Sequence, residues 1–192
     1  MAAASAKAAL TSATEGLPLT TAVKSVMEPA GNGTRSDMPS SRPFMEASTR
    51  LVARAGAVNI VPSSTGAARA TSLVLAAMKG RLDGMSLRVP LPVGSITDFT
   101  AVVQGNPSVA EVNAAFAEAA AKPPLDRVLD YTEDPLVSSD IVGQSASCIF
   151  DAGLTIVQSI NSEMSLVKVE GWYDNEWGYS NRLVDLTVLV GS

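Results

Sequence analysis

The stretch Val167-Lys168-Val169-Glu170-Gly171-Trp172-Tyr173-Asp174-Asn175-Glu176-Trp177-Gly178-Tyr179-Ser180-Asn181-Arg182 constrains the fold more than any other. Val167, Val169 and Gly171 alternate with Lys168, Glu170 and Trp172, the period of two expected of a strand with one buried face. A helix should begin at Asp174 or Asn175. Either side chain can accept from the unpaired first-turn N–H groups, and Glu176 lies near the positive end of the helix dipole. Both tryptophans and two of the three tyrosines fall in this strand, corner and helix, a concentration of aromatic surface that calls for packing. From 183 to 190 the sequence is apolar almost all round, so the end of the helix is expected to be buried, with Gly191 as its stop.

The absence of histidine narrows the chemistry further. Histidine is the commonest general base and the side chain most easily poised near neutral pH, so mechanisms built on it are closed to this chain acting alone. Cys148 is the single cysteine, which excludes an internal disulfide and any multi-cysteine metal site. A net charge of −5 without a Lys/Arg cluster argues against a nucleic-acid partner. No apolar run reaches the roughly 18 residues of a membrane-spanning helix, so the chain is expected to be soluble, without membrane insertion; the cytoplasm is the expected compartment.

The 192 residues suit one domain with a sizeable core, or one domain and a small appendage. Residues 1–16 are rich in Ala and Ser. They read as a helix, or as the remnant of an organelle-targeting segment, with the helix favoured because no arginine precedes Arg35. A strand is expected over 17–26, and 27–48, full of Pro, Gly, Ser and Asn, should be a long surface loop. Residues 59–62 then read as a short strand breaking at Ser63-Ser64-Thr65-Gly66 into a helix that reaches Met78. Thr65 and Gly66 thus stand at a helix N-terminus, where capping is the frequent role and anion binding the functional alternative.

Met85, Leu87, Val89 and Leu91 alternate with Ser86 and Arg88, and a turn at 92–95 leads to a second strand over 96–103, so the two are expected to form a hairpin. Arg88 on a rigid strand can hold an anion through its planar fork of donors, or simply make a surface ion pair of little consequence. Ser108 and Glu111 form a capping box for an amphipathic helix that runs to Lys122 and stops at Pro123-Pro124. Segments 126–131, 147–151, 154–160 and 166–173 read as short strands. The sum is an α+β domain with a mostly antiparallel, mixed sheet of about seven or eight strands and helices on one face. No Gly-x-Gly-x-x-Gly follows a strand, so no Rossmann domain is expected.

Trp172-Tyr-Asp-Asn-Glu-Trp-Gly-Tyr-Ser-Asn-Arg182 resembles the start of the last helix of glyceraldehyde-3-phosphate dehydrogenase. The blocks 59–68, 82–90, 111–116, 131–143 and 149–152 resemble the same family in its order. Together they imply that 17–192 is its C-terminal, catalytic domain. The family oxidises glyceraldehyde 3-phosphate with NAD through a cysteine thioester, aided by a histidine. Thr65 and Gly66 match its phosphate-binding Ser-Thr-Gly turn, Arg88 its phosphate-binding arginine, and Asn175 the asparagine that holds the nicotinamide amide, with Tyr179 packed nearby.

The departures from the family are as informative. Its Ala-Ser-Cys-Thr-Thr-Asn motif is missing, and the chain is expected to begin just inside the helix that carries it. Cys148, in a strand, is expected to pack inertly. Val23 or Lys24 stands where the base histidine should follow Thr20-Thr21, and the threonine and aspartate completing one phosphate site are missing too. The resemblance therefore implies the family's function with no turnover by the lone chain. NAD is expected not to bind productively, phosphate or a sugar phosphate is an expected ligand, and a dehydrogenase-like subunit or a second copy is the expected partner. The alternative is a non-catalytic structural or regulatory subunit.

Overall fold

The structure, a computed structural model, describes the backbone of residues 22–29 and the whole of residues 59–192. The expectations for 1–16 and for most of the 27–48 loop lie outside the described residues. Among the described residues, seven strands form one mixed sheet in the order β2-β3-β1-β4-β7-β6-β5. They are β1 (Ala22–Pro29), β2 (Val61–Ser64), β3 (Leu82–Val89), β4 (Ser95–Gln104), β5 (Leu129–Thr132), β6 (Cys148–Ser159) and β7 (Met164–Tyr173). Helix α1 (Ala67–Val74) follows β2, α2 (Val109–Ala120) joins β4 to β5, and α3 (Asn175–Gly191) ends the chain. Four of the six strand pairings are antiparallel; β1–β3 and β5–β6 are parallel. The α+β class expected from the sequence stands.

The core follows from alternation. Phe99, Ala101 and Val103 of β4 and Val167 and Val169 of β7 are buried on one face, and the register places Phe99 opposite Val169 and Ala101 opposite Val167. Helix α2 closes that face with Val112 and Phe116, and Phe116 stacks on Phe150 of β6 with ring centroids 4.0 Å apart. The capping box that starts α2 forms as expected. The Ser108 backbone N–H donates to Glu111 Oε2 at 2.8 Å and the Glu111 N–H donates to Ser108 Oγ at 3.2 Å. On the opposite face a smaller cluster of Ile141, Ala146 and Ile149, joined by Leu136 and Trp172, lies under a 3-10 turn, Ser138–Ile141.

Several local expectations are corrected. The strand placed at 17–26 is β1 at 22–29, so it runs into the segment assigned to the loop. The hairpin expected between 82–91 and 96–103 does not form, because β1 lies between β3 and β4, parallel to one and antiparallel to the other. Alternation marks strands but not their neighbours. The strands read separately at 147–151 and 154–160 are one strand, β6, with a bulge where four residues, 152–155, face only Val169. Gly153 sits in that bulge, its N–H donating to Asp151 Oδ1 at 3.1 Å, so the break in pattern that resembled a turn is a kink. The helix expected to reach Met78 ends at Val74, and Ala76–Met78 is a 3-10 turn.

The largest correction concerns the end of α3. Leu183, Val184, Leu186, Val188, Leu189 and Val190 are all at least half exposed. Of the opening aromatics, Trp172 is half-buried and donates from Nε1 to Asp151 Oδ2 at 3.0 Å, whereas Trp177 and Tyr179 stand exposed.

Candidate functional site

The start of α3 is the most firmly constrained part of the site. Asp174 is the N-cap residue and is buried; its Oδ1 accepts from the Trp177 N–H at 2.9 Å and its Oδ2 from the Gly143 N–H at 2.9 Å. One carboxylate therefore caps the helix and ties it to the loop after the 3-10 turn. Gly178 lies so close to that loop that an added Cβ would stand 3.0 Å from the Ala146 carbonyl oxygen. One turn further on, the Arg182 guanidinium donates to the Arg127 carbonyl and to Ser147 Oγ, both at 3.3 Å, and pairs with Asp185 at 2.8 Å.

Asn175, the first residue of α3, is held from the other side. Ser95 at the start of β4 donates its hydroxyl to Asn175 Oδ1 at 3.1 Å. That contact occupies the acceptor end of the amide and leaves the Nδ2 donors to meet an acceptor on a ligand. Tyr179 lies one turn along the helix and is exposed, so it adds a ring edge beside Asn175 and no packed wall.

Strand register relates this seat to Arg88. Leu87 of β3 pairs with Met27 of β1, Met27 with Ile96 of β4, and Ile96 with Trp172 of β7. Arg88 and Ser95 are the next positions in the same direction, at the same end of the sheet. Residues in register point to the same face, and Arg88 shares its parity with Ser86 and, through β1, with Thr97 and Ser95. Two inter-strand spacings put their backbones about 10 Å apart. Arg88 is half-buried. Thr97, two residues from Ser95 on that face, has a buried hydroxyl oxygen with no hydrogen-bond partner.

Thr65 and Gly66 occupy a different place. Val61 pairs with Arg88 and Ser64 with Met85, so Thr65 has the parity of Arg88 but lies four residues further along, about 13 Å of strand away. The two predicted anion contacts are not brought together. Thr65 Oγ1 accepts from the Ala67 N–H at 3.2 Å, and Gly66 is the N-cap residue of α1 with open space where a Cβ would stand. Thr65 borders a cleft of about 580 Å³ whose lining includes Arg69, Ser72, Lys79 and Asp83, which gives that position two cations and one carboxylate.

A second electrostatic cluster lies on the sheet face away from α2. Lys168 of β7 reaches Asp98 Oδ2 at 2.9 Å and Glu170 Oε1 at 3.2 Å, and Asp151 lies opposite Glu170 in the register. Burial raises the Glu170 pKa above the usual carboxylate value, repulsion from Asp98 and Asp151 adds to it, and Lys168 partly offsets it. Hydrogen bonds to Asp98 and then Glu170 raise the Lys168 pKa. Among the described residues, no group of three His, Cys, Asp or Glu side chains could hold a metal ion.

Sequence reasoning missed Ser95 and the second bond of Asp174. Ser95 had no local signal, since its partner lies 80 residues away in the chain. Asp174 is one of two candidate caps by residue type, and its tie to Gly143 depends on a loop that carries no periodicity. Cys148, expected to be inert, is buried in β6, close against Gly171.

Residues 35–175 match the family model described as glyceraldehyde 3-phosphate dehydrogenase, C-terminal domain. Thr65, Gly66, Arg88 and Asn175 fall inside the match; Tyr179 lies beyond it. The chain is 59% identical over 140 residues to a glyceraldehyde-3-phosphate dehydrogenase of Streptomyces coelicolor, covering 73% of this chain and 40% of that protein. It is 57% identical over 139 residues to one from Mycolicibacterium smegmatis, covering 72% and 39%. The chain thus spans about two-fifths of the length of these relatives. Among the described residues, no helix is long and apolar enough to cross a membrane.

Proposed function

The chain belongs to the glyceraldehyde 3-phosphate dehydrogenase family through its C-terminal domain, and from that premise we propose that it is the phosphate-holding half of such a site, unable to complete turnover alone. One observation carries this reading. The register sets Arg88 on the same face and at the same end of the sheet as the Ser95–Asn175 pair, two strands away. A cation and an amide donor at one end of one sheet face suit a site that takes a phosphate-bearing substrate beside a nicotinamide carboxamide.

The reaction of the relatives consumes inorganic phosphate as well as a sugar phosphate, so it calls for two anion positions. Arg88 supports one. Thr65, in a cleft with Arg69 and Lys79, and Gly66 at the N-cap of α1 support the other. NAD, when bound, supplies the hydride acceptor, and this chain's contribution is to orient the carboxamide through Asn175. Neither a histidine base nor the family's cysteine motif stands in the sequence, and this supports inactivity of the lone chain. The reading places the protein in the cytoplasm, with glycolysis.

Purified chain supplied with NAD, phosphate and glyceraldehyde 3-phosphate is expected to give no NADH above the protein-free control. Turnover would refute the inactivity. A second reading, a non-catalytic structural or regulatory subunit, is favoured by the exposed apolar end of α3.

A further inference from the structure

Two buried oxygens beside the β6 bulge, Asn113 Oδ1 of α2 and Thr155 Oγ1 of β6, lack hydrogen-bond partners among the described residues. Thr155 is only 8% exposed. A buried hydroxyl or amide oxygen left unpaired carries the full cost of its desolvation, so native folds satisfy nearly all such groups with protein atoms or ordered water.

Both oxygens belong to one contact between α2 and β6. Asn113 reaches the first residue of the bulge, its Nδ2 donating to the Ala152 carbonyl at 3.1 Å. Thr155 is the last residue of the bulge. It shares its parity with Val157, which packs against the core that α2 closes, whereas Ile156 between them stands exposed. The Thr155 hydroxyl therefore lies on the α2 side of the sheet.

The protein's own groups leave both oxygens open. Turning the Asn113 amide over would set its oxygen against the Ala152 carbonyl, so Oδ1 stays where it is. Pairing of β6 with β5 ends at Asp151, and pairing with β7 lapses between Asp151 and Ile156. A bulge opens the ladder in this way and leaves backbone groups unpaired. The contact thus gathers an amide acceptor, a hydroxyl that can donate or accept, and backbone positions outside the ladder. That lining repels an apolar occupant and suits a water molecule, which needs two to four polar partners.

We propose that the β6 bulge is a binding site for one ordered water, which donates to Asn113 Oδ1 and bonds the Thr155 hydroxyl. The water completes a polar stitch across the domain. Asn113 holds the bulge, the Gly153 N–H in the bulge donates to Asp151 Oδ1, and Asp151 Oδ2 accepts from Trp172 Nε1 where β7 turns toward α3. Its role is to fix the kink in β6 and with it the aim of the Asp151 carboxylate. The inference rests on neither the family assignment nor anion binding.

The test is crystallography of the full chain, at a resolution that shows ordered water, in three forms: natural, Thr155→Val and Thr155→Ser. Valine keeps the branched shape of threonine and lacks its hydroxyl, and serine keeps the hydroxyl. Circular dichroism melts show whether each variant folds. The natural chain and Thr155→Ser are expected to hold one water within about 3.2 Å of both oxygens, and Thr155→Val to lose it. A dry contact in the natural chain overturns the proposal, as does a direct hydrogen bond from the Thr155 hydroxyl to Asn113 Oδ1 in place of the water. A water that stays unmoved in Thr155→Val overturns it too, since the hydroxyl is then no part of the site. If Thr155→Val fails to fold, the density of the natural chain decides alone.

Discussion

At the scale of single residues, the strand-to-helix corner is held by contacts that allow little substitution. An added Cβ at Gly171 would stand 2.5 Å from Cys148 Sγ, inside any acceptable contact. Gly171→Ala is expected to destabilise the domain by about 1–3 kcal/mol through overpacking, a fall of roughly 2–4 °C in melting temperature for each kcal/mol. Cys148→Ala removes the opposing sulfur, so the double variant should lie within about 1 kcal/mol of Cys148→Ala alone. Strict additivity in denaturant melts would show that the two do not meet. Asp174→Ala loses a helix cap and the Gly143 bond together, and an expected cost of about 2–3 kcal/mol follows. Asp174→Asn keeps one acceptor oxygen and should lose about half as much. Urea melts showing Asp174→Ala within about 0.5 kcal/mol of the natural protein would count against this account.

At the scale of elements, the sheet's charged face makes a pH-dependent statement. Glu170 titrates above its usual value of 4.5, chiefly from burial and then from repulsion by Asp98. A carboxyl whose folded pKa is raised contributes stability that is present below the unfolded pKa and is lost as pH rises through the folded one. Lys168 limits that loss by pairing with both carboxylates. Lys168→Met should therefore destabilise the domain more at pH 7.5 than at pH 5, as Glu170 takes up a proton. Equal destabilisation at the two pH values in parallel urea melts would contradict this assignment.

Element readings succeeded where the signal was local. The Ser108 and Glu111 capping box gave the start of α2, and alternation located β4 and β7 to within two residues. They failed where a distant partner decides. Nothing in 82–104 announces that β1 inserts between β3 and β4. Gly153 in β6 breaks the period of two as a turn would, although the chain continues as one strand. The burial assigned to 183–190 came from an apolar run, which states that a surface needs covering without stating that this domain covers it.

At the scale of the whole molecule, the family was legible from the corner at 172–182, while the site was legible only as separate residues. Thr65, Gly66, Arg88 and Asn175 were each identifiable by type and motif. Their grouping was not, because it depends on strand register. Register joins Arg88 to Ser95 and Asn175 and sets Thr65 about 13 Å away, so the two candidate anion contacts lie apart. The central claim is that Arg88 holds phosphate. The measurement that tests it most directly is the melting temperature of the natural chain, Arg88→Ala and Thr65→Ala across a phosphate titration at constant ionic strength. Ligand binding to the folded state raises the midpoint in proportion to its occupancy. The natural chain is expected to rise, and each variant to rise by less because one of the two positions is lost. A rise in Arg88→Ala equal to that of the natural chain would contradict the account.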